Sequence, residues 1–143
     1  MAFTGSYVTD SFKEQLLLAV HDFSTDVIKV ALYTSSATID NTTTAYSATN
    51  EVSGTGYTAG GKTLTATVTP QGLYAILDFA DVSWTSASFT CRGALIYNSS
   101  KSNKSVFVLD FGTDKTVSAG TLTIQFPTAD VNNAIAVISS VTN

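Results

Sequence analysis

Asp26-Val-Ile-Lys-Val-Ala-Leu-Tyr-Thr34 is the first stretch of the chain in which β-branched and aromatic residues replace a helical spacing of apolar residues. From there onward, apolar residues alternate with polar ones or form short runs. Turn residues such as Pro70-Gln-Gly72 separate these runs. About seven or eight short strands at regular spacing predict an all-β protein, folded as an antiparallel β-sandwich.

The later strands are predicted at residues 64–69, 73–79, 88–97, 105–111, 121–126 and 134–141. Thr38–Glu51 is too poor in apolar residues for a core strand and is predicted to be a long exposed loop or an edge. Val82 and Trp84 have the opposite parity to the strand before them, which predicts a bulge or bend at Ala80-Asp81. Gly112-Thr-Asp-Lys115 is predicted to be a turn between two strands.

One amphipathic helix is predicted at Asp10–Phe23, before the first strand. Its apolar stripe consists of Phe12, Leu16, Ala19, Val20 and Phe23. Ser11 and Glu14 have the spacing of a capping box, in which each side chain accepts a hydrogen bond from a backbone N–H at the helix start. The sequence therefore predicts a helix start near Ser11.

The composition fits one domain that covers residues 1–143, with an N-terminal arm at residues 1–9. Of the 143 residues, 44% are hydrophobic, 13% are charged and 40 are Ser or Thr. Disorder is excluded by the apolar content and the low charge. The abundance of hydroxyl side chains and the scarcity of Glu favour strands over helices.

Charge and cysteine content exclude several classes of partner. A net charge of −4 with scattered Lys and Arg provides no basic face for nucleic acid. One Cys and one His cannot form an internal disulfide or an N/S zinc site, so no metal and no cofactor are expected. No apolar run reaches the roughly 20 residues that cross a bilayer. Met1-Ala-Phe-Thr-Gly-Ser-Tyr7 lacks the regions of a signal peptide, so synthesis in a cytosol without a membrane partner is expected.

Gly56-Tyr-Thr-Ala-Gly-Gly-Lys-Thr63 matches the pattern G-x-x-x-x-G-K-[ST], which is typical of phosphate-binding loops in NTPases. Phosphate binding of that kind requires a buried parallel strand before the loop and a helix after it. Leu64-Thr-Ala-Thr-Val-Thr69 instead alternates as a strand does. We therefore expect a glycine turn that binds no nucleotide.

No residue pattern points to catalysis, and we expect a protein that is not an enzyme. His21 is the only imidazole, and the predicted helix C-terminus explains it without a catalytic role. Asp78 and Asp110 lie inside apolar strands and are predicted to face outward, with a paired role at an interface as the alternative. Cys91 is predicted to be a small buried hydrophobe.

Arg92, the only arginine, is expected to form an ion pair on its strand with Asp78 or Asp110, or to clamp a subunit contact. Several aromatic residues lie in the arm or beside glycine and hydroxyl residues. Exposed rings of this kind can anchor a protein interface or stack on a sugar. The candidate interface residues are Phe3, Tyr7, Tyr46, Tyr57 and Arg92.

Several sequence blocks, spread over nearly the whole chain, carry a family resemblance. They are Ser11-Phe-Lys-Glu-Gln-Leu-Leu17, Lys29-Val-Ala-Leu-Tyr-Thr-Ser-Ser-Ala-Thr38, Glu51-Val-Ser-Gly-Thr-Gly-Tyr-Thr-Ala-Gly-Gly61, Leu77-Asp-Phe-Ala-Asp-Val-Ser-Trp84, Arg92-Gly-Ala-Leu-Ile-Tyr97 and Leu109-Asp-Phe-Gly112. As a set, they resemble a family of small β-rich structural proteins of tailed bacteriophages. The resemblance implies a virion protein of the head or the tail and assigns no site residues.

Two functions agree with these observations. The first is a capsid cement or decoration protein that binds the major capsid protein or other virion proteins and stabilises the head shell. It would act as a homo-oligomer. A trimer is expected, because virion decoration proteins commonly form trimers. The alternative is a tail-associated or fibre-knob module that binds a host glycan through the loops around Tyr46 and Tyr57.

The arm has no charged side chain and carries Phe3 and Tyr7. We expect these rings to be partly exposed in a monomer and to dock against a neighbouring subunit or the virion surface. The alternative is that the arm folds back as an edge strand of its own sandwich.

Overall fold

Two antiparallel sheets and one short helix form the structure, a computed structural model that describes residues 3–139. The all-β sandwich predicted from the sequence is confirmed. The elements are β1 (Tyr7–Val8), α1 (Asp10–Leu17), β2 (Ile28–Tyr33), β3 (Lys62–Leu64), β4 (Ala66–Gln71), β5 (Tyr74–Phe79), β6 (Val82–Asn98), a single 3-10 turn (Ser99–Lys101), β7 (Lys104–Ile124) and β8 (Ala136–Ser139).

The larger sheet has the strand order β1-β7-β6-β2-β3, and the smaller sheet has the order β4-β5-β8. Side chains from both sheets and from α1 meet in one core. Its large members include Phe12, Ile28, Phe79, Trp84 and Phe107. Several of these rings contact each other edge to face, as Phe79 does with Phe107 at a centroid distance of 6.3 Å.

The chain passes from one sheet to the other three times, and the first two crossings are adjacent. Only Thr65 separates β3 from β4, and only Ala80-Asp81 separates β5 from β6. The N–H of Ala80 donates to the carbonyl of Thr65 at 3.0 Å, so the two crossings lie side by side. The parity change at Val82 and Trp84 therefore marks a bend at which the chain changes sheets.

A long two-stranded ribbon, β6 paired with β7, replaces several of the predicted shorter strands. The predicted turn at Gly112–Lys115 is wrong, because β7 continues through it. Cys91 pairs with Lys115 and Gly93 pairs with Asp110, so residues 111–114 bulge out opposite a single residue of β6. The carboxylate of Asp110 accepts a hydrogen bond from the N–H of Gly112 at 2.8 Å, which holds the bulge locally.

The helix is shorter than predicted, because α1 ends at Leu17 and not at Phe23. Ala19 adopts the left-handed conformation with φ 55°. Its N–H donates to the carbonyl of Leu16, and the N–H of Val20 donates to that of Gln15, at 3.2 and 3.0 Å. This bonding pattern is a Schellman motif, which ends a helix.

The predicted capping box is also wrong. Thr9, not Ser11, is the N-cap residue, and its side chain makes no capping hydrogen bond. The Thr9 hydroxyl instead donates to the carbonyl of Val106 at 3.3 Å. The first N–H of the helix, on Asp10, donates to the carbonyl of Asn41 at 2.9 Å. Tertiary contacts therefore satisfy the helix start.

β2 is buried on both faces, which explains its nearly continuous apolar sequence. Ile28 and Leu32 point into the core between the sheets, whereas Ala31 and Tyr33 point to the opposite face. On that face lies a second apolar cluster. Its buried members are Phe3, Ala31, Tyr33, Ala37, Ile39, Leu95, Tyr97 and Val108.

Residues 34–61, here called the covering loop, lie over that outer face. The sequence predicts an exposed loop or an edge at Thr38–Glu51. Ile39 within it is buried, and Ala45 forms a β-bridge with Lys104. The prediction is therefore wrong in part, because this polar stretch covers apolar residues of the larger sheet.

The arm folds back onto its own domain. Tyr7 and Val8 pair with Val108 and Phe107 of β7, and Phe3 is only 5% exposed. A Cβ placed on Gly93 would lie 2.6 Å from the Phe3 ring, so the missing side chain of Gly93 makes room for that ring. The expectation that both rings stay partly exposed until a partner covers them is wrong for Phe3, and the edge-strand alternative describes the arm.

Replacing Phe3 with Ala should lower the free energy of unfolding of the isolated subunit by about 3 kcal/mol, because a buried ring is lost. Chemical denaturation measures this effect. Leu17→Ala serves as control, since Leu17 is 89% exposed, and it should cost less than about 0.5 kcal/mol. An unchanged stability in Phe3→Ala would contradict the packing of the arm described above.

Ala19→Gly should raise the free energy of unfolding by about 1 kcal/mol, because glycine adopts the left-handed conformation at no steric cost. Ala19 is exposed, so little packing is lost. The same exchange in an extended strand, Ala75→Gly, should instead lower stability. Denaturant midpoints that fall for both variants would argue against the Schellman motif.

Candidate functional site

The glycine-rich motif lies between the covering loop and β3. Lys62 is the first residue of that strand, and no helix follows the loop. The N–H of Gly60 donates to Oε1 of Glu51 at 2.8 Å, and the N–H of Gly61 donates to the carbonyl of Thr58 at 2.9 Å. One N–H of the loop therefore binds a carboxylate of its own chain, and the next closes a turn within the loop.

The side chain of Lys62 also has an internal partner. Its Nζ donates to the carbonyl of Ser83 at 2.6 Å and lies 5.8 Å from the centroid of the Trp84 ring. A phosphate-binding loop needs this ammonium group beside the glycine N–H groups. Both the lysine and the Gly60 N–H are already paired within the chain.

The Glu51 carboxylate is the centre of a polar cluster. The hydroxyls of Tyr46 and Tyr57 donate to it at 2.6 Å each, in addition to the N–H of Gly60. The Tyr57 hydroxyl also accepts a hydrogen bond from the N–H of Leu32 at 2.9 Å. Tyr57 thereby joins the carboxylate of the covering loop to the backbone of β2.

These tyrosines are held in their neutral form. Burial raises the pKa of Tyr57 above its ordinary value of 10, and the hydrogen bond to Glu51 acts in the same direction. Burial and the same carboxylate also raise the pKa of Tyr46. Neither hydroxyl is therefore available as a base near neutral pH.

Two further tyrosines of the larger sheet hold the covering loop. The Tyr97 hydroxyl donates to the carbonyl of Gly60 at 2.8 Å, and the Tyr33 hydroxyl donates to that of Ser47 at 2.6 Å. The rings of Tyr46 and Tyr97 stack with centroids 4.7 Å apart. The cluster around Glu51 therefore fixes the loop to the sheet.

Removing one hydroxyl tests this arrangement. Tyr57→Phe should lower the free energy of unfolding by about 1–3 kcal/mol, because the N–H of Leu32 and Glu51 each lose a partner. Tyr74→Phe is the control, since Tyr74 lies on the exposed part of β5, and it should stay within about 0.5 kcal/mol of the parent. Equal effects in the two denaturation curves would contradict a role for the Tyr57 hydroxyl.

Arg92 forms the ion pair that the sequence predicts as one of two options. Its Nε lies 3.4 Å from Oδ1 of Asp110, and its Nη1 lies 3.8 Å from Oδ1 of Asp114. Asp78, the other expected partner, is on the smaller sheet and is half-buried. A clamp at a subunit contact stays a prediction.

Cys91 is a buried hydrophobe, as predicted. It is fully buried, and burial raises the pKa of its thiol to about 11. A thiol with such a pKa is almost entirely protonated at neutral pH and is a poor nucleophile.

The five candidate interface residues do not form one surface. Phe3 is buried in the second cluster, against which Tyr7 and Tyr46 also pack. Tyr57 packs against the main core instead, and Arg92 is held by two acids of β7. Their role at a protein interface stays a prediction, and most of their polar atoms have partners within the chain.

Sequence reasoning missed an exposed apolar surface on the smaller sheet. Val68, Leu73 and Ile138 are 54%, 70% and 57% exposed. Ala75 is exposed and pairs with Ile138, and Val68, Ala75 and Ile138 line one groove. We call Val68, Leu73, Ala75 and Ile138 the apolar patch. Its one signal in the sequence is that residues 66–77 contain no charged side chain.

Within residues 3–139, no group of three or more His, Cys, Asp or Glu side chains is placed to hold a metal ion. Over the same part of the chain, no helix has the length and apolar character to span a membrane. No family model matches the chain, and neither a curated protein nor a solved structure matches it.

Proposed function

We propose that this chain is a non-enzymatic structural protein of a tailed-bacteriophage virion, and that it acts as a cement or decoration protein on the head shell. The apolar patch is the observation that carries the proposal. It is the surface through which the chain contacts the major capsid protein or further copies of itself. The likeness of the sequence blocks to phage structural proteins supports the virion context.

The use of polar side chains within the chain supports a structural role over catalysis. Glu51 accepts hydrogen bonds from two tyrosines and one backbone N–H. Arg92 lies beside two carboxylates, and Lys62 bonds a backbone carbonyl. Reactive groups in active sites are aimed at a cavity that substrate can enter. Each of these groups instead has a partner elsewhere in its own chain.

The charge distribution favours contact at the apolar patch. Copies that each carry a net charge of −4 repel one another in general. The patch and the strands around it at residues 66–77 are free of charge, so a protein surface can approach them without that penalty. Large apolar side chains left in solvent commonly mark a protein interface.

The double variant Val68→Lys with Ile138→Lys tests the proposal on purified virions of the encoding phage. We expect hundreds of copies of the parent chain per virion and at least a tenfold lower occupancy for the double variant. Each factor of ten corresponds to about 1.4 kcal/mol of contact energy. Quantitative mass spectrometry of virions counts the copies.

Val27→Lys is the matched control, because Val27 is a large apolar residue that is 44% exposed away from the patch. It should attach as the parent does. Circular dichroism checks that all variants fold. A parent copy number of a few dozen or fewer would support a tail protein, and equal occupancy of the double variant and the control would refute a contact at the patch.

A further inference from the structure

His21 is buried in the segment between α1 and β2, beyond the end of the helix. The residue is 8% exposed, and its ring centroid lies 5.0 Å from that of Phe12 and 6.4 Å from that of Phe23. An imidazole among aromatic rings gains little hydration. Its charge state therefore depends on the polar atoms that contact its two nitrogens.

Those contacts define which form of the ring is present. Oε1 of Gln15 lies 2.8 Å from Nε2, and a carbonyl oxygen can only accept, so Nε2 carries the proton. Nδ2 of Asn98 lies 3.0 Å from Nδ1, and an amide nitrogen only donates, so Nδ1 is unprotonated. The ring is therefore neutral in this network.

The side-chain amide of Asn98 cannot rotate by half a turn without losing hydrogen bonds. Its Nδ2 also donates to Oδ2 of Asp26 at 2.7 Å, and its Oδ1 accepts from the N–H of Ser100 at 3.0 Å. A proton on Nδ1 of His21 would face the Nδ2 hydrogen atoms. Turning the amide to accept that proton would place its oxygen against Asp26 and its nitrogen against the Ser100 N–H.

The network joins three separate parts of the fold. Gln15 belongs to α1, Asp26 precedes β2, and Asn98 is the last residue of β6. We call His21, Gln15, Asn98 and Asp26 the latch. Phe12 of α1 is buried in the main core, so the helix covers apolar side chains of both sheets.

We propose that protonation of His21 opens the latch, so that α1 and the segment up to β2 detach from the sandwich and expose the core under Phe12. In this way acid would reversibly convert a closed apolar core into an open one. The device depends on the chain's single imidazole and on the directions of its hydrogen bonds.

The charged groups that face His21 act in opposite directions. Burial lowers the pKa of His21 below its ordinary value of 6.5, Asp26 raises it, and Lys104 and Lys101 lower it. Because the open form has the higher pKa, it binds the proton more tightly, and closure weakens as pH falls below about 6.5. Carboxylates change their protonation mainly near pH 4 and below. Between that pH and about 6.5, the change in closure is therefore caused by His21.

Hydrogen exchange of the purified chain, corrected for the intrinsic pH dependence, measures the opening of residues 10–27. Below about pH 6.5 the open population should rise by up to tenfold per pH unit, as the uptake of one proton requires. The amides of Leu18 and Val20 are informative, since both are hydrogen-bonded to α1 carbonyls. Exchange in β6 should not change over the same interval.

Two variants test the cause. His21→Gln should remove the acid-dependent exchange, and Gln15→Glu should reduce it, since a carboxylate on Nε2 favours the imidazolium. Gln71→Glu makes the same exchange on exposed β4 and should behave as the parent. NMR titration of the lone histidine follows its pKa directly and does not depend on any variant. Two results would overturn the proposal. In the first, exchange of residues 10–27 in the parent does not rise between pH 7 and pH 5. In the second, it rises equally in His21→Gln.

Discussion

The pairing of β6 with β7 is the interaction on which the other elements depend. β2 and β1 add to the two sides of this ribbon, and β3 joins through β2. The connection between its strands is short and is stabilised by Asn98, whose Oδ1 caps the 3-10 turn. Because the same side chain bonds His21 and Asp26, the position of α1 is coupled to the end of the ribbon.

The second constraint is the burial of the larger sheet on both faces. One face packs on the smaller sheet, and the other needs a cover that the polar covering loop provides. Such a loop has few apolar residues with which to hold itself in place. Glu51 holds the loop instead, because its carboxylate accepts hydrogen bonds from the hydroxyls of two tyrosines and from the N–H of Gly60. A single half-buried carboxylate thus orders a stretch that composition alone would leave free.

The fold class and several strands could be predicted, because alternation reports which face of a strand is buried. β2 and β5 lie where the sequence places them, within two residues. Ala19 misleads, because it continues an apolar stripe while its backbone ends the helix. Gly112 leads to the opposite error. Its neighbours are typical of a turn, but it lies in a bulge of a strand that continues. At Ala19 the helix ends in a local Schellman motif without the glycine that usually signals one, whereas at Gly112 the pairing of β7 with β6 keeps the strand going.

The candidate site was harder to predict than the fold. The sequence draws attention to Tyr46 and Tyr57 but gives no sign that Glu51 lies between their hydroxyls. That contact depends on how the covering loop returns to the sheet. The alternation of apolar and polar residues does not predict the apolar patch either, because Val68 and Ile138 have the parity of core residues. They are exposed because the smaller sheet extends beyond what covers it.

The use of aspartates explains where an acidic chain places most of its negative charge. Asp22, Asp40, Asp110 and Asp130 each accept a hydrogen bond from the N–H two residues later, at 2.8–2.9 Å. This Asx-turn geometry draws acids to loops and bulges. The charged side chains that favour solubility therefore lie mainly in loops and bulges, while hydroxyl and apolar side chains occupy most of the strand faces. In the described strands of the smaller sheet, Asp78 is the one charged residue, and it is half-buried. The part of that sheet that carries the apolar patch is therefore free of charge, and contact would be made there.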